Sequence, residues 1–112
     1  MSDIKRHGAN GRRALSVEHG GVLYTSGITS QLTDGGITEQ TQDVLRVIDN
    51  LLARRGIDKG RVLSATVTLA DMADYGEFNA VWDAWVVDGY EPARSVTQGA
   101  LAVPEYRVKI SV

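Results

Sequence analysis

The chain has no cysteine and only two histidines, His7 and His19, in 112 residues. The first absence excludes disulfides, thiolate nucleophiles and cysteine-ligated metals; the second leaves too few imidazoles for ordinary zinc chemistry. No apolar run approaches the length needed to cross a bilayer, and Met1 to Arg6 carry no apolar stretch of a secretory signal. The expected compartment is therefore the cytoplasm, with no membrane partner. An excess of basic charge is also missing: 12 basic and 14 acidic side chains give a formal charge of -2 and a pI near 5.6. Arg12-Arg13 and Arg54-Arg55 are the only adjacent arginine pairs. A nucleic-acid partner, which needs a clustered basic surface, is not expected. Linkers, internal repeats and low-complexity tracts are lacking too, so residues 1–112 are expected to form one domain around one modest core.

What is present alternates between strand and helix patterns. Arg13 to Val17 and Val22 to Thr25 flank His19-Gly20-Gly21, a tight-turn sequence because glycine accepts positive φ. They predict an N-terminal hairpin that stops at Ser26-Gly27. After the polar loop Gln31 to Gly36, Thr38 is a candidate N-cap, with Glu39 suited to the first helical turn. Val44, Ile48, Leu51 and Leu52 form an apolar stripe at helical spacing, and Gly56 closes that helix. Val62 to Leu69 alternates as a strand, with Leu63, Ala65, Val67 and Leu69 on one face. Asp74-Tyr75-Gly76-Glu77 fits a capping box opening a second helix, whose apolar face is Phe78, Val81, Trp82 and Trp85. In the last strand, Tyr106 to Val112, Val108, Ile110 and Val112 oppose Arg107, Lys109 and Ser111. The order β-β-α-β-α-β-β makes an α/β sandwich with two helices on one sheet face. The other face has no element left to cover it. Its hydroxyl-rich row of Val62, Ser64, Thr66 and Thr68 suits either solvent or a subunit contact.

The stretch Pro92-Ala93-Arg94-Ser95 places an arginine where a turn becomes a strand, since a strand begins only after a proline that lacks an N–H. A guanidinium held there is a planar, permanently charged fork for a carboxylate or phosphate. Its plainer reading is a surface or interface ion pair. Trp82 and Trp85 are expected as core and interface anchors rather than a stacking platform. His19 is expected as a turn residue, His7 in a flexible N-terminus, and Asp71 and Asp74 as helix-start residues.

Several of these pieces share one order. Ser26-Gly27, Gln40, Leu63-Ser64-Ala65-Thr66-Val67, Leu69-Ala70-Asp71, Phe78-Asn79-Ala80-Val81-Trp82 and Pro92-Ala93-Arg94 together resemble the RidA (YjgF) family over nearly the whole chain. The resemblance implies a chorismate-mutase-like fold assembled as a homotrimer. Three sheets would then pack into a central barrel, with ligand sites in clefts between subunits. It also implies hydrolysis of reactive 2-imino acids to 2-keto acids and ammonia, with no cofactor and no metal. On the same basis Arg94 corresponds to the residue that binds the substrate carboxylate and takes part in catalysis. Gly27 corresponds to a glycine whose backbone approaches the ligand, and Asn79 to an amide that supports the cleft.

Two departures from that family's pattern bear on activity. Arg13 lies near the position where members often have a cleft-lining tyrosine. Lys109 stands where many active members carry a glutamate that holds the attacking water. A lysine near Arg94 would serve as a base only with a strongly depressed pKa; it also reads as a solvated strand residue or a partner for Glu105. Three function classes follow: an imine or enamine deaminase with altered water activation, a non-catalytic receptor in which Arg94 and Lys109 grip a small carboxylate or phosphate, and a ribonuclease or translation inhibitor. The acidic balance disfavours the third.

Overall fold

The computed structural model describes residues 3–112. Its elements are β1 (Lys5–His7), β2 (Ser16–His19), β3 (Val22–Thr25), α1 (Ile37–Ala53), β4 (Ser64–Leu69), α2 (Tyr75–Trp85), β5 (Ala93–Gln98) and β6 (Val108–Ser111). The α/β arrangement with both helices on one face of the sheet is as the sequence leads one to expect, with one strand added at the start. That strand is short and wholly polar. It pairs antiparallel with β2, and His7 Nε2 lies 2.6 Å from Glu18 Oε2, so His7 belongs to the sheet rather than to a loose terminus.

Two three-stranded ladders, β1-β2-β3 and β5-β4-β6, join into one sheet through the residues after β3. Thr25 N donates to the Val112 carbonyl at 2.9 Å, and Ile28 and Ile110 exchange N–H···O bonds of 2.8 and 3.0 Å. Spatial order is therefore β1-β2-β3-β6-β4-β5. Only β4 and β5 run parallel, the crossover between them being α2. Between the two β3–β6 contacts, Ser26 and Gly27 together stand opposite Ser111, a bulge that re-aims the chain. At the β2–β3 hairpin Gly20 and Gly21 both have positive φ (60° and 80°), the conformation a two-residue primed turn demands.

The core lies between sheet and helices. Val44, Leu45, Ile48, Leu51 and Leu52 of α1 and Phe78, Trp82 and Trp85 of α2 pack on Ala65, Val67, Leu69, Val108 and Ile110. Burial of each large side chain contributes about 1.5–3 kcal/mol. Three boundaries differ from the sequence pattern. The N-cap of α1 is Gly36, not Thr38, and the Glu39 carboxylate accepts the Gly36 N–H at 2.8 Å. Asp74 caps α2 without a side-chain bond. Its carboxylate instead lies 3.5 Å from Arg107 Nη1, and Asp71 caps the preceding single turn through the Ala73 N–H at 2.9 Å. Strand β4 starts at Ser64, because Val62 ends a short 3-10 turn, and Leu63 is left 73% exposed rather than on the core face.

The face away from the helices carries Ser64, Thr66 and Thr68 of β4, Ala93, Ser95 and Thr97 of β5, and Lys109 and Ser111 of β6, paired across the ladders. No helix of the described residues covers it. Among the described residues, no helix is long and apolar enough to cross a membrane.

Candidate functional site

Arg94 is the second residue of β5, directly beside Ala65 of β4. Ala65 is buried against the helices, so register sends Arg94 to the helix side, over α2. There its Nη1 donates to Asn79 Oδ1 at 3.0 Å and its Nη2 to the Tyr75 hydroxyl at 3.3 Å. The guanidinium carbon lies 5.4, 5.8 and 6.0 Å from the ring centroids of Trp82, Phe78 and Tyr75. Each such contact contributes about 0.5–2 kcal/mol. Tyr75, the adjacent pair Phe78 and Asn79, and Trp82 follow one another at three- or four-residue steps along α2, which is why one helix face can roof one arginine. No carboxylate of the described residues pairs with Arg94. Neutral groups thus hold the cation while its charge stays uncompensated, and three guanidinium N–H groups remain for an anion.

Gly27 and Lys109 meet on the other side of the sheet. A Cβ at Gly27 would sit 2.7 Å from Lys109 Cδ and 2.9 Å from Cγ, so the lysine stem lies across the bulge where glycine leaves room. Lys109 is exposed, directly opposite Thr68, and pairs with no carboxylate of the described residues, Glu105 included. Ala65 and Thr68 alternate in β4, so Arg94 and Lys109 point to opposite faces of one sheet. A joint grip by these two residues within one protomer is therefore not made. Arg13 is still further away. It sits in the exposed loop before β2, where its N–H donates to Asn10 Oδ1 at 2.9 Å. Four strand spacings separate β2 from β5, roughly 19 Å at about 4.8 Å each.

Two concavities of a single protomer lie away from these residues. One, of about 450 Å³, is the outer groove between α1 and α2 beside Trp85. Another, of about 470 Å³, lies where β6 ends, between Tyr24 and Leu63. Neither is lined by Arg94, Gly27 or Lys109.

Two buried polar side chains of α1 set the segments that lead to the site. Gln40 donates to the carbonyls of Gly35 (3.2 Å) and Glu105 (2.9 Å) and accepts from Arg107 N (2.9 Å), fixing the chain that enters β6 two residues before Lys109. Asp43 accepts from Arg46 (2.7 Å), Ser30 Oγ (2.8 Å) and Gln31 N (3.2 Å), pinning the segment after the bulge. The bond from Arg46 is the main cause that holds the Asp43 carboxyl below its ordinary pKa, against the opposing cost of burial.

Of the residues singled out in the sequence, the structure joins Arg94 to Asn79 and Gly27 to Lys109, and keeps the two pairs on opposite faces. Tyr75 was legible only as part of a helix start. The signal that could have found it is its four-residue spacing from Asn79, which puts a phenol and an amide on one helix face.

A two-helix layer on a mixed sheet, with an arginine at the head of the edge strand, defines the class of fold. A family model described as Endoribonuclease L-PSP matches residues 5–112. RutC family protein YoaB of Escherichia coli (strain K12) is 39% identical over 109 residues, covering 97% of this chain and 95% of that protein. Among solved structures, NMB1025 of Neisseria meningitidis, described as a YjgF family member, superposes with a TM-score of 0.91 at 44% identity, covering 97% and 91% of the two chains. An uncharacterized protein from Pseudomonas aeruginosa gives a TM-score of 0.94 at 38% identity, covering 97% and 95%. A mouse protein named 2-iminobutanoate/2-iminopropanoate deaminase is 31% identical over 116 residues, covering 98% of this chain and 85% of that one. The chain belongs to the YjgF/RidA family, as its motif order led one to expect.

Proposed function

We propose that three copies of this chain close into a ring through their uncovered sheet faces, and that the clefts between copies hydrolyse 2-imino acids to 2-keto acids and ammonia. The single observation that carries this reading is Arg94, a cation held by an amide and three rings with no carboxylate partner among the described residues. A planar fork of this kind matches a carboxylate, and a bidentate pair fixes the substrate's plane. The separation of Arg94 from Gly27 and Lys109 supports a site shared between copies, since a second copy is needed to set one pair against the other. Family relatives named as imine deaminases support the substrate class.

In this mechanism Arg94 orients the substrate through its carboxylate. Water adds to the iminium carbon, and the resulting carbinolamine expels ammonia, leaving the ketone. Positioning supplies most of the effect, and a base that takes the water proton would add more. Lys109 puts no carboxylate where the family's pattern has the water-holding glutamate, so turnover is expected to be slow. This same residue favours a second reading, an anion receptor in which Lys109 replaces the water-holding group with a second cation.

Hydrolysis of imino acids generated in place by an amino-acid oxidase tests the proposal. The purified protein is expected to speed ammonia release above the buffer rate. No acceleration, with 2-ketobutyrate still bound, would leave the receptor reading standing and remove the enzyme.

A further inference from the structure

We propose that Tyr75 is a positioning residue for the anion site, fixing the rotation of the Arg94 guanidinium so that its free edge is presented as a fork. This rests on the reading of Arg94 as the carboxylate anchor. An arginine at the head of an edge strand has four rotatable side-chain bonds, and stacking on aromatic faces restrains its tilt but not its rotation within the plane. Rotation is fixed by directional bonds at the rim. Asn79 supplies one, at Nη1, and the Tyr75 phenol oxygen supplies the other, at Nη2. With one N–H of each terminal nitrogen so occupied, the plane cannot turn without breaking a bond.

Tyr75 is suited to this task in two further respects. It is 40% exposed, so it stands at the solvent rim of the arginine rather than in the core beneath it. Its oxygen accepts from the guanidinium, so its effect on a bound carboxylate passes through the orientation of Arg94. The class of ligand favoured is therefore a planar carboxylate that takes two N–H bonds from the oriented fork. An anion that accepts from a single point gains little from such an arrangement.

A double-mutant cycle between Tyr75→Phe and Arg94→Lys tests this, with 2-ketobutyrate affinity followed by ligand-detected NMR, which reaches weak binding. The phenyl ring and the stacking are kept in Tyr75→Phe, so its thermal midpoint should match the parent's. Affinity should fall roughly tenfold, as expected for loss of a bond to a charged group. In Arg94→Lys there is no fork to orient, and adding Tyr75→Phe should weaken binding no further. Equal losses in both backgrounds, or no loss in the parent background, would overturn the positioning role. A different result would overturn the anchor reading itself: Arg94→Lys binding 2-ketobutyrate as tightly as the parent.

Discussion

Arg94→Ala is expected to abolish keto-acid binding. Removing a desolvated charge-assisted pair costs about 2–5 kcal/mol, so Kd for 2-ketobutyrate should rise by roughly thirtyfold to several thousandfold. The side chain also covers part of Phe78 and Trp82, both buried, so truncation to alanine removes packing as well as charge. Arg94→Met separates the two effects, because it keeps an apolar stem over the rings and removes only the cation. Calorimetric titration of both variants should show the same loss of binding, with Arg94→Met melting close to the parent. If Arg94→Met still binds 2-ketobutyrate at parental strength, the anchor lies elsewhere and Arg94 serves only as a lid on α2.

Lys109→Glu is expected to raise imine hydrolysis by about 10²–10⁴-fold, the usual contribution of a placed general base. The position favours the experiment. Lys109 is exposed on the open sheet face and makes no ion pair among the described residues, so the change disturbs no core contact. Its stem rests on Gly27, and a shorter glutamate leaves that space to water or ligand. Initial rates of ammonia release for parent and variant decide the matter. A variant that loses 2-ketobutyrate binding without gaining rate would identify Lys109 as a second anion ligand, and the protein as a receptor. A parent already as fast as Lys109→Glu would show that water is activated by another group.

How far the sequence discloses this architecture depends on whether side chains or pairing decide each part. The Gly20-Gly21 turn was legible because its backbone demands positive φ. Helix α1 was legible because Val44, Ile48, Leu51 and Leu52 leave a stripe that only a helix can bury, and β6 because Val108 and Ile110 alternate with Lys109 and Ser111. Strand β1 was not. Lys5, Arg6 and His7 show no apolar alternation, and only bonding to β2 makes them a strand. The cap of α1 was misplaced because Thr38 has the better side chain, whereas Gly36 is capped from within the helix by Glu39.

The site divides in the same way. Arg94 was identifiable from its place after Pro92, and Asn79 and Gly27 from the motif order. That Arg94 and Lys109 face opposite ways follows from the pairing of Ala65 with Arg94 and Thr68 with Lys109. Such a register belongs to the sheet, and no local run of residues contains it. Likewise the aromatic setting of Arg94 was hidden. Trp82 reads as core from its helical spacing, and it is core, yet its ring also faces the guanidinium.

A crystal structure of the protein with 2-ketobutyrate tests most directly whether Arg94 anchors a carboxylate in a cleft that two copies build. The account predicts a closed trimer, with the ligand carboxylate on the Arg94 fork of one copy and the Gly27–Lys109 bulge of a neighbouring copy against its other side. Ligand bound within one protomer, in the α1–α2 groove or at the end of β6, with Arg94 still turned to Asn79 and Tyr75 alone, would contradict it.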